Sequence, residues 1–245
     1  GVAREISVLF DHPLSIPDPH PESIDIDVST LLKVEIQCPD LCPRYTARVL
    51  RGVKVGASPA WLQEKLATLG LNSVNNIVDA TNYVMMECGQ PLHAFDLAKV
   101  SGGCIQVREA KPEEEFVAID HKTYALAPGM CVIADAEKAV ALGGVMGGSE
   151  SEVSEATVDL LIEAAEFTSQ AIRQTARKLK LHSDASYRFE RPLDSHGVDW
   201  ASRRCCELIL KLAGGELLDG VIDVGETPET PGSVDLRFAQ IPRVL

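Results

Sequence analysis

Apolar and polar positions alternate along this chain in two rhythms. Short runs of Val, Ile and Leu bounded by turn residues predict strands in "KVEIQ", "RYTARVLRGVKV", "CIQVREA", "EFVAID", "CVIAD", "AVALGG" and "VDLLIEAAEF". Turns are predicted at "DHKT" and "APGM". Helical spacing governs "SPAWLQEKLATLG", with Ser58 as N-cap, Pro59 at the first helical position and a stop at Gly70. It governs "NNIVDATNYVMMECG", ending at Gly89, and a last helix over about 197–213 that ends at Gly214-Gly215. Between these a helix starts at Thr168, with Phe167 and Ile172 as its hydrophobic staple, and runs to about residue 180. Its apolar stripe is Ile172, Ala176 and Leu179, and a basic stripe of Arg173, Arg177 and Lys180 runs beside it.

These elements predict an α+β fold, a strand-rich mixed-sheet body flanked by helices. Residues 1–30 read as an amphipathic helix already under way, then a Pro- and Asp-rich linker over 12–30 leading in from a preceding domain. Residues 31–225 form the body, and "ELLDGVIDVGETP" returns to it as strand. "ETPETPGS" is a linker and "VDLRFAQIPRVL" opens a further unit, so 226–245 read as linker and the start of a following domain. This organisation is that of a segment excised from a longer chain.

The length of 245 residues suffices for one large domain or two small ones, and 45% hydrophobic against 24% charged residues places the chain among globular proteins. No apolar run approaches the length of a membrane span, and the N-terminus has no signal-peptide pattern. Seven cysteines, an odd number set mostly in apolar patterns, indicate a reducing compartment and a cytoplasmic location. Cys38-x3-Cys42 has no matching second pair, so no metal site is expected.

The net charge of −13 argues against autonomous nucleic-acid binding. The charge is uneven, though. Residues 1–40 hold eight acids and two bases, while residues 165–191 hold six bases and three acids, so only the second region suits a phosphate backbone. There is no GxGxxG, GxxxxGK[ST], HExxH or GxSxG, which removes the usual support for redox, nucleotide-triphosphate, zinc-protease and serine-hydrolase chemistry.

Four stretches carry candidate chemistry. "GGVMGG", residues 143–148, is a tight turn between strands or a place where backbone approaches a ligand closely. Glu163 lies between apolar neighbours in a strand, so its carboxylate must be paired, hydrogen-bonded or facing a cavity. His93 follows a Pro-fixed turn in "GQPLHAFD" and is either a packed core histidine or a catalytic one. "HSDASYRFER", residues 182–191, offers Ser183 and Ser186, better read as caps or hydrogen-bond donors than as nucleophiles.

"CPRYTARVLRGVKVG", "NNIVDATNYVMMECGQPLHAFD", "ALGGVMGG", "IEAAEF", "IRQTARKLKLHSDASYRFER" and "LAGGE" occur in this order. Taken together they resemble the beta subunit of bacterial-type phenylalanyl-tRNA synthetase, in the region that houses its editing module, over nearly the whole chain. The resemblance implies that 31–225 are a tRNA-editing module of two interleaved subdomains. Its reaction would be hydrolysis of tyrosine wrongly esterified to tRNA(Phe), by a positioned water.

It implies catalytic roles for Thr81, His93 and Gly147, with backbone amides near Gly147 as oxyanion donors, and substrate-binding roles for Glu163, Ser183 and Ala185. Glu163 matches the residue that reads the tyrosine hydroxyl. Arg173, Arg177, Lys180, Arg188 and Arg191 are the expected tRNA contacts. Expected partners are the 3′ end of tRNA(Phe) and an alpha subunit, in an α2β2 heterotetramer and away from membranes. ATP and Mg2+ belong to the whole enzyme at the alpha subunit, with no cofactor in this segment. Two positions depart from the family: Ser183, where threonine is usual, and Pro192, where glycine is common. The rival reading is a structural, tRNA-docking module of the same subunit with a degenerate pocket.

Overall fold

The computed structural model describes residues 1–226, 233 and 235–244. In chain order these residues form α1 (Val2–Leu9), β1 (Ser23–Asp27), β2 (Lys33–Ile36), β3 (Arg44–Arg51), α2 (Ala60–Thr68), α3 (Asn76–Cys88) and β4 (Leu92–Asp96). There follow β5 (Cys104–Glu109), β6 (Glu115–Val117), β7 (Thr123–Ala125), β8 (Cys131–Ala134), β9 (Ala139–Leu142), β10 (Met146–Gly147) and β11 (Leu160–Glu166). The chain closes with α4 (Ser169–Leu179), α5 (Asp184–Phe189), α6 (Gly197–Ala213), β12 (Glu216–Asp219), β13 (Ile222–Gly225) and α7 (Ile241–Val244). The class is α+β with mixed sheets, as the alternation of patterns predicts.

Strands β1, β12, β3, β11 and β4 lie side by side in that order, and β13 also pairs with β3. The β1–β12 pair is parallel and the remaining pairs are antiparallel. A second sheet runs β10-β9-β8-β5-β2, and β6 and β7 form a separate hairpin. The central strands β3 and β11 are buried on both faces along nearly their whole length, so the polar residues they carry, among them Arg44, Thr46, Arg48 and Glu163, are buried too. Side chains of alternate residues separate two cores. Tyr45, Ala47, Val49, Phe95, Leu161 and Ala165 pack toward the five-stranded sheet. Leu50, Ala94, Leu160 and Ile162 pack with Ile77, Val84, Cys205 and Ile209 of α3 and α6.

Several local expectations need correction. Residues 12–30 are not linker throughout: 23–27 form an edge strand, while the Pro17 and Pro19 carbonyls accept bonds from Trp200 and Arg203 of α6. Ser58 does not cap α2. The helix begins one residue later with Pro59 as N-cap, because the Ser58 hydroxyl is buried and donated to Asp79, 2.6 Å away. Thr168 is the N-cap residue of α4, but its hydroxyl is donated to the Asp40 carbonyl. "GQPLHAFD" continues from its turn into β4. The expected linker 226–233 lies, apart from its end residues, outside the described residues.

Candidate active site

β11 sits between β3 and β4, and this register creates the site. Glu163 pairs with Ala47 on one side and His93 on the other, so the carboxylate and the imidazole are cross-strand neighbours on one face. Tyr45, two residues along β3 from Ala47, shares that face and donates its phenolic hydrogen to Glu163 Oε2 at 2.9 Å. Glu163 is 7% exposed. Burial pushes its carboxyl up to about 7, opposed by the Tyr45 hydrogen bond, which favours the ionised form.

His93 is half-buried, with its ring edge against Phe95 at 4.5 Å between centroids. Its Nε2 is shielded from solvent and has no hydrogen-bond partner. Burial lowers its pKa to about 4, so at neutral pH the ring is an uncharged imidazole, suited to donate or accept a single hydrogen bond. Gly147 covers this ring. A Cβ there would lie 2.4 Å from His93 Cε1 and 2.6 Å from Nε2, so glycine is required by the close approach of the ring. The hairpin that delivers it turns at Gly144, whose φ of +68° suits a residue without a side chain.

The "HSDASYRFER" stretch is not a loop. Ser183 opens α5 with a capping box, accepting from the Ser186 amide, and the Ser186 hydroxyl accepts from the Ser183 amide in return. The Ser183 hydroxyl is itself donated to the Val145 carbonyl at 2.6 Å. One side chain thus caps α5 and ties it to the glycine hairpin, and the reading of both serines as caps and donors agrees with this geometry. Threonine would keep the same hydroxyl.

These elements enclose a cavity of about 300 Å³, and Thr81, His93, Gly147, Glu163, Ser183 and Ala185 all line it. The six positions come from α3, β4, β10, β11 and the start of α5. The Thr81 hydroxyl is donated to the Val78 carbonyl within its own helix, leaving only its lone pairs for another group. The amides of Val145 and Gly148 are donated to the Leu142 and Val140 carbonyls, so these two neighbours of the Met146-Gly147 pair are not free oxyanion donors. Tyr45 is a member of the site that sequence reasoning missed. Only the alternation of "RYTARVL", which sets Tyr45 on one face with Ala47 and Val49, hints at it.

The expected tRNA contacts lie outside the cavity. Arg173, Arg177 and Lys180 are exposed on the outer side of α4, where Arg173 and Arg177 border a depression shared with Glu190. Arg188 is bound to Asp184 and to the Met86 sulfur, and Arg191 stacks on the exposed Tyr187 ring at 4.1 Å. Cys38 and Cys42 do not share a site: the Cys38 sulfur faces that of Cys131 at 4.0 Å, and the Cys42 thiol points to the Arg44 carbonyl. No helix among the described residues is long and apolar enough to cross a membrane.

Residues 41–214 match the model of the B3/4 domain family. The chain belongs to the B3/4 domain family. This B3/4 domain chain is 58% identical over 247 residues to the phenylalanine–tRNA ligase beta subunit of Rhodopirellula baltica, covering all of this chain and 36% of the relative. It is 46% identical over 245 residues to the beta subunit of the same name from Thermotoga maritima, covering all of this chain and 31% of that one. The expected likeness to that subunit therefore holds along the whole chain, which spans about a third of the length of these curated relatives. The chain also resembles a crystal structure of an N-terminal fragment of the phenylalanyl-tRNA synthetase beta subunit from Pyrococcus horikoshii. That match covers 100% of this chain and 67% of the other, at 13% identity and a TM-score of 0.44.

Proposed function

We propose that this B3/4 domain is the proofreading part of a phenylalanine–tRNA ligase beta subunit and hydrolyses tyrosyl-tRNA(Phe). The observation that carries the reading is Glu163, a buried carboxylate with one oxygen bonded inside the sheet, lining a cavity of amino-acid size. Tyrosine and phenylalanine differ by a single hydroxyl, which a pocket shaped for phenylalanine rejects only modestly. A second pocket that binds the hydroxyl reverses the preference. In its ionised form Glu163 would accept a hydrogen bond from a tyrosine phenol, a charge-assisted bond of roughly 1.5–3 kcal/mol. Phenylalanine would leave that acceptor buried and unpaired, and sites of this kind discriminate by up to about 10⁴-fold or more.

In the reaction water attacks the ester carbonyl, the carbonyl oxygen takes the developing charge, and the ribose oxygen leaves with a proton. Free tyrosine and uncharged tRNA result. The neutral His93 imidazole beside the carboxylate orients water or the terminal adenosine by hydrogen bonding. The basic face of α4, Arg188 of α5 and Arg191 just beyond it approach the tRNA end, with the partner alpha subunit carrying aminoacylation, ATP and Mg2+ in an α2β2 assembly in the cytoplasm.

The test is deacylation of tyrosyl- and phenylalanyl-tRNA(Phe) by the complete ligase carrying this segment. Glu163→Ala should lose its preference for the tyrosyl ester by a factor of about 10–100, from the bond strength above. A folded Glu163→Ala protein with undiminished tyrosine preference would make Glu163 a structural carboxylate and misplace the pocket. Absence of tyrosyl-tRNA hydrolysis by the unmodified protein would favour a purely structural, docking role.

A further inference from the structure

Glu163 is held by a residue that does not line the cavity. Tyr45 is fully buried on β3, and its phenol reaches Glu163 Oε2 on the same face of the sheet from the strand flanking β11 opposite to β4, which carries His93. Tyr45 is the one hydrogen-bond partner of the Glu163 side chain among the described residues. Oε1 has no protein partner, yet it is not one of the solvent-shielded orphan atoms, as His93 Nε2 is. The two carboxylate oxygens are therefore differentiated, one fixed inside the sheet and one facing the cavity.

We propose that Tyr45 is the positioning residue of this site. Its phenol pins Oε2 in the sheet and so presents Oε1 as a single, oriented acceptor for a substrate phenol. The proposal rests on the function argued above and adds the device that sets its specificity. Without the Tyr45 hydroxyl, the carboxylate can rotate about its terminal torsion, which is soft for glutamate, and can turn its charge toward other donors. A rotating carboxylate binds a phenol less selectively, because orientation must then be fixed at each encounter.

The same bond sets protonation. A phenol that donates to a carboxylate favours the ionised form, and here it counters the upward push of burial. The other groups facing this carboxyl are the His93 ring on β4, neutral above about pH 4, and the buried Cys42 and Cys131 thiols, both held well above their ordinary range by their surroundings. Glu152 and Asp184 stand at the cavity walls. Loss of the Tyr45 bond should move the acid limb of the activity profile to higher pH.

The experiment compares Tyr45→Phe, Glu163→Ala and unmodified protein in the complete ligase, each shown to be folded by thermal unfolding. Deacylation of both esters is measured from pH 5.5 to 8.5. Tyr45→Phe keeps the ring, so a purely packing role predicts unchanged specificity and pH profile. The positioning role predicts that tyrosyl-over-phenylalanyl discrimination falls about tenfold to a hundredfold, the size of a hydrogen bond to a charged group, and that the acid limb moves up. A site-specific 3-fluorotyrosine at position 45, a stronger donor of unchanged fold, should move the limb down and serves if Tyr45→Phe does not fold. An unmoved limb in the folded variants, with full discrimination, overturns the proposal. If Glu163→Ala abolishes discrimination and Tyr45→Phe leaves it intact, only the role of Tyr45 fails. If Glu163→Ala is itself silent, the functional reading fails.

Discussion

Burying a carboxyl beside an uncharged histidine leaves a signature in folding stability that needs no substrate. Glu163 rises from an ordinary value of 4.5 to about 7 in the folded chain. Below pH 4.5 the carboxyl is protonated folded and unfolded, and nothing is lost. Between 4.5 and 7 the unfolded chain releases this proton first, so stability falls as pH rises; above 7 the loss is complete. At about 1.4 kcal/mol per pH unit, the span from 4.5 to about 7 amounts to roughly 3 kcal/mol.

His93 has the opposite sign. Its pKa falls from 6.5 to about 4, so its contribution to stability is present above pH 6.5 and disappears as pH falls toward 4. The two slopes oppose each other over most of their range, and the unmodified chain should be nearly insensitive to pH between about 5 and 6.5 as far as this pair is concerned. Glu163→Gln removes one slope. Glutamine resembles the protonated acid in size and still accepts from Tyr45, so the variant should match the parent near pH 4 and exceed it by roughly 3 kcal/mol near pH 8. Urea unfolding followed by fluorescence of Trp61 and Trp200, at half-unit steps from pH 4 to 8.5, measures the difference. A difference that stays constant across this range, or shrinks as pH rises, would show that Glu163 is not the desolvated carboxyl described here.

Gly147→Ala places a methyl group within 2.6 Å of the His93 ring; it should destabilise the chain by about 1–3 kcal/mol as an overpacked site and impair deacylation, checked by thermal unfolding and tyrosyl-tRNA hydrolysis. Ser183→Ala removes the N-cap of α5 and its tie to the Val145 carbonyl. It should cost about 1–2 kcal/mol, whereas Ser183→Thr should leave stability near the parent value in the same unfolding assay.

The strand pattern was legible because most strands are short apolar runs closed by turn residues, and the helix limits at Gly89 and Gly214 follow from glycine's ease at left-handed or extended turns. Glu163 stood out because a charge in "LLIEAAEF" contradicts its own neighbours. Its relation to His93 was hidden, since nothing local says that β4 pairs with β11 in the register that sets these two opposite each other. Gly147 shows the same limit. The sequence displays a glycine run, but the requirement for glycine comes from a ring on another strand. Tyr45 was invisible for a different reason: in a strand buried on both faces a tyrosine reads as packing, and its hydroxyl gains meaning only from the carboxylate beside it. Ser58 was misread because capping is a local rule, and the buried Asp79 was a stronger claimant for its hydroxyl. That Thr81, His93, Gly147, Glu163, Ser183 and Ala185 belong together came from family resemblance, not from any periodicity, and the structure sets all six around one cavity.

The central place of β11 has a consequence for how this sequence can change. Hydrogen-bonded on both edges and buried on both faces, the strand alternates Leu161, Glu163 and Ala165 toward one core with Leu160 and Ile162 toward the other. Inserting or deleting one residue within 160–166 would exchange the faces beyond that point, driving a carboxylate against the α3–α6 core or removing it from the cavity. Point substitutions can tune this pocket, but changes in length cannot. Lineages of this domain should gather their insertions in the exposed turns, such as the one around His121 between β6 and β7, and keep the spacing from Leu160 to Glu166 fixed.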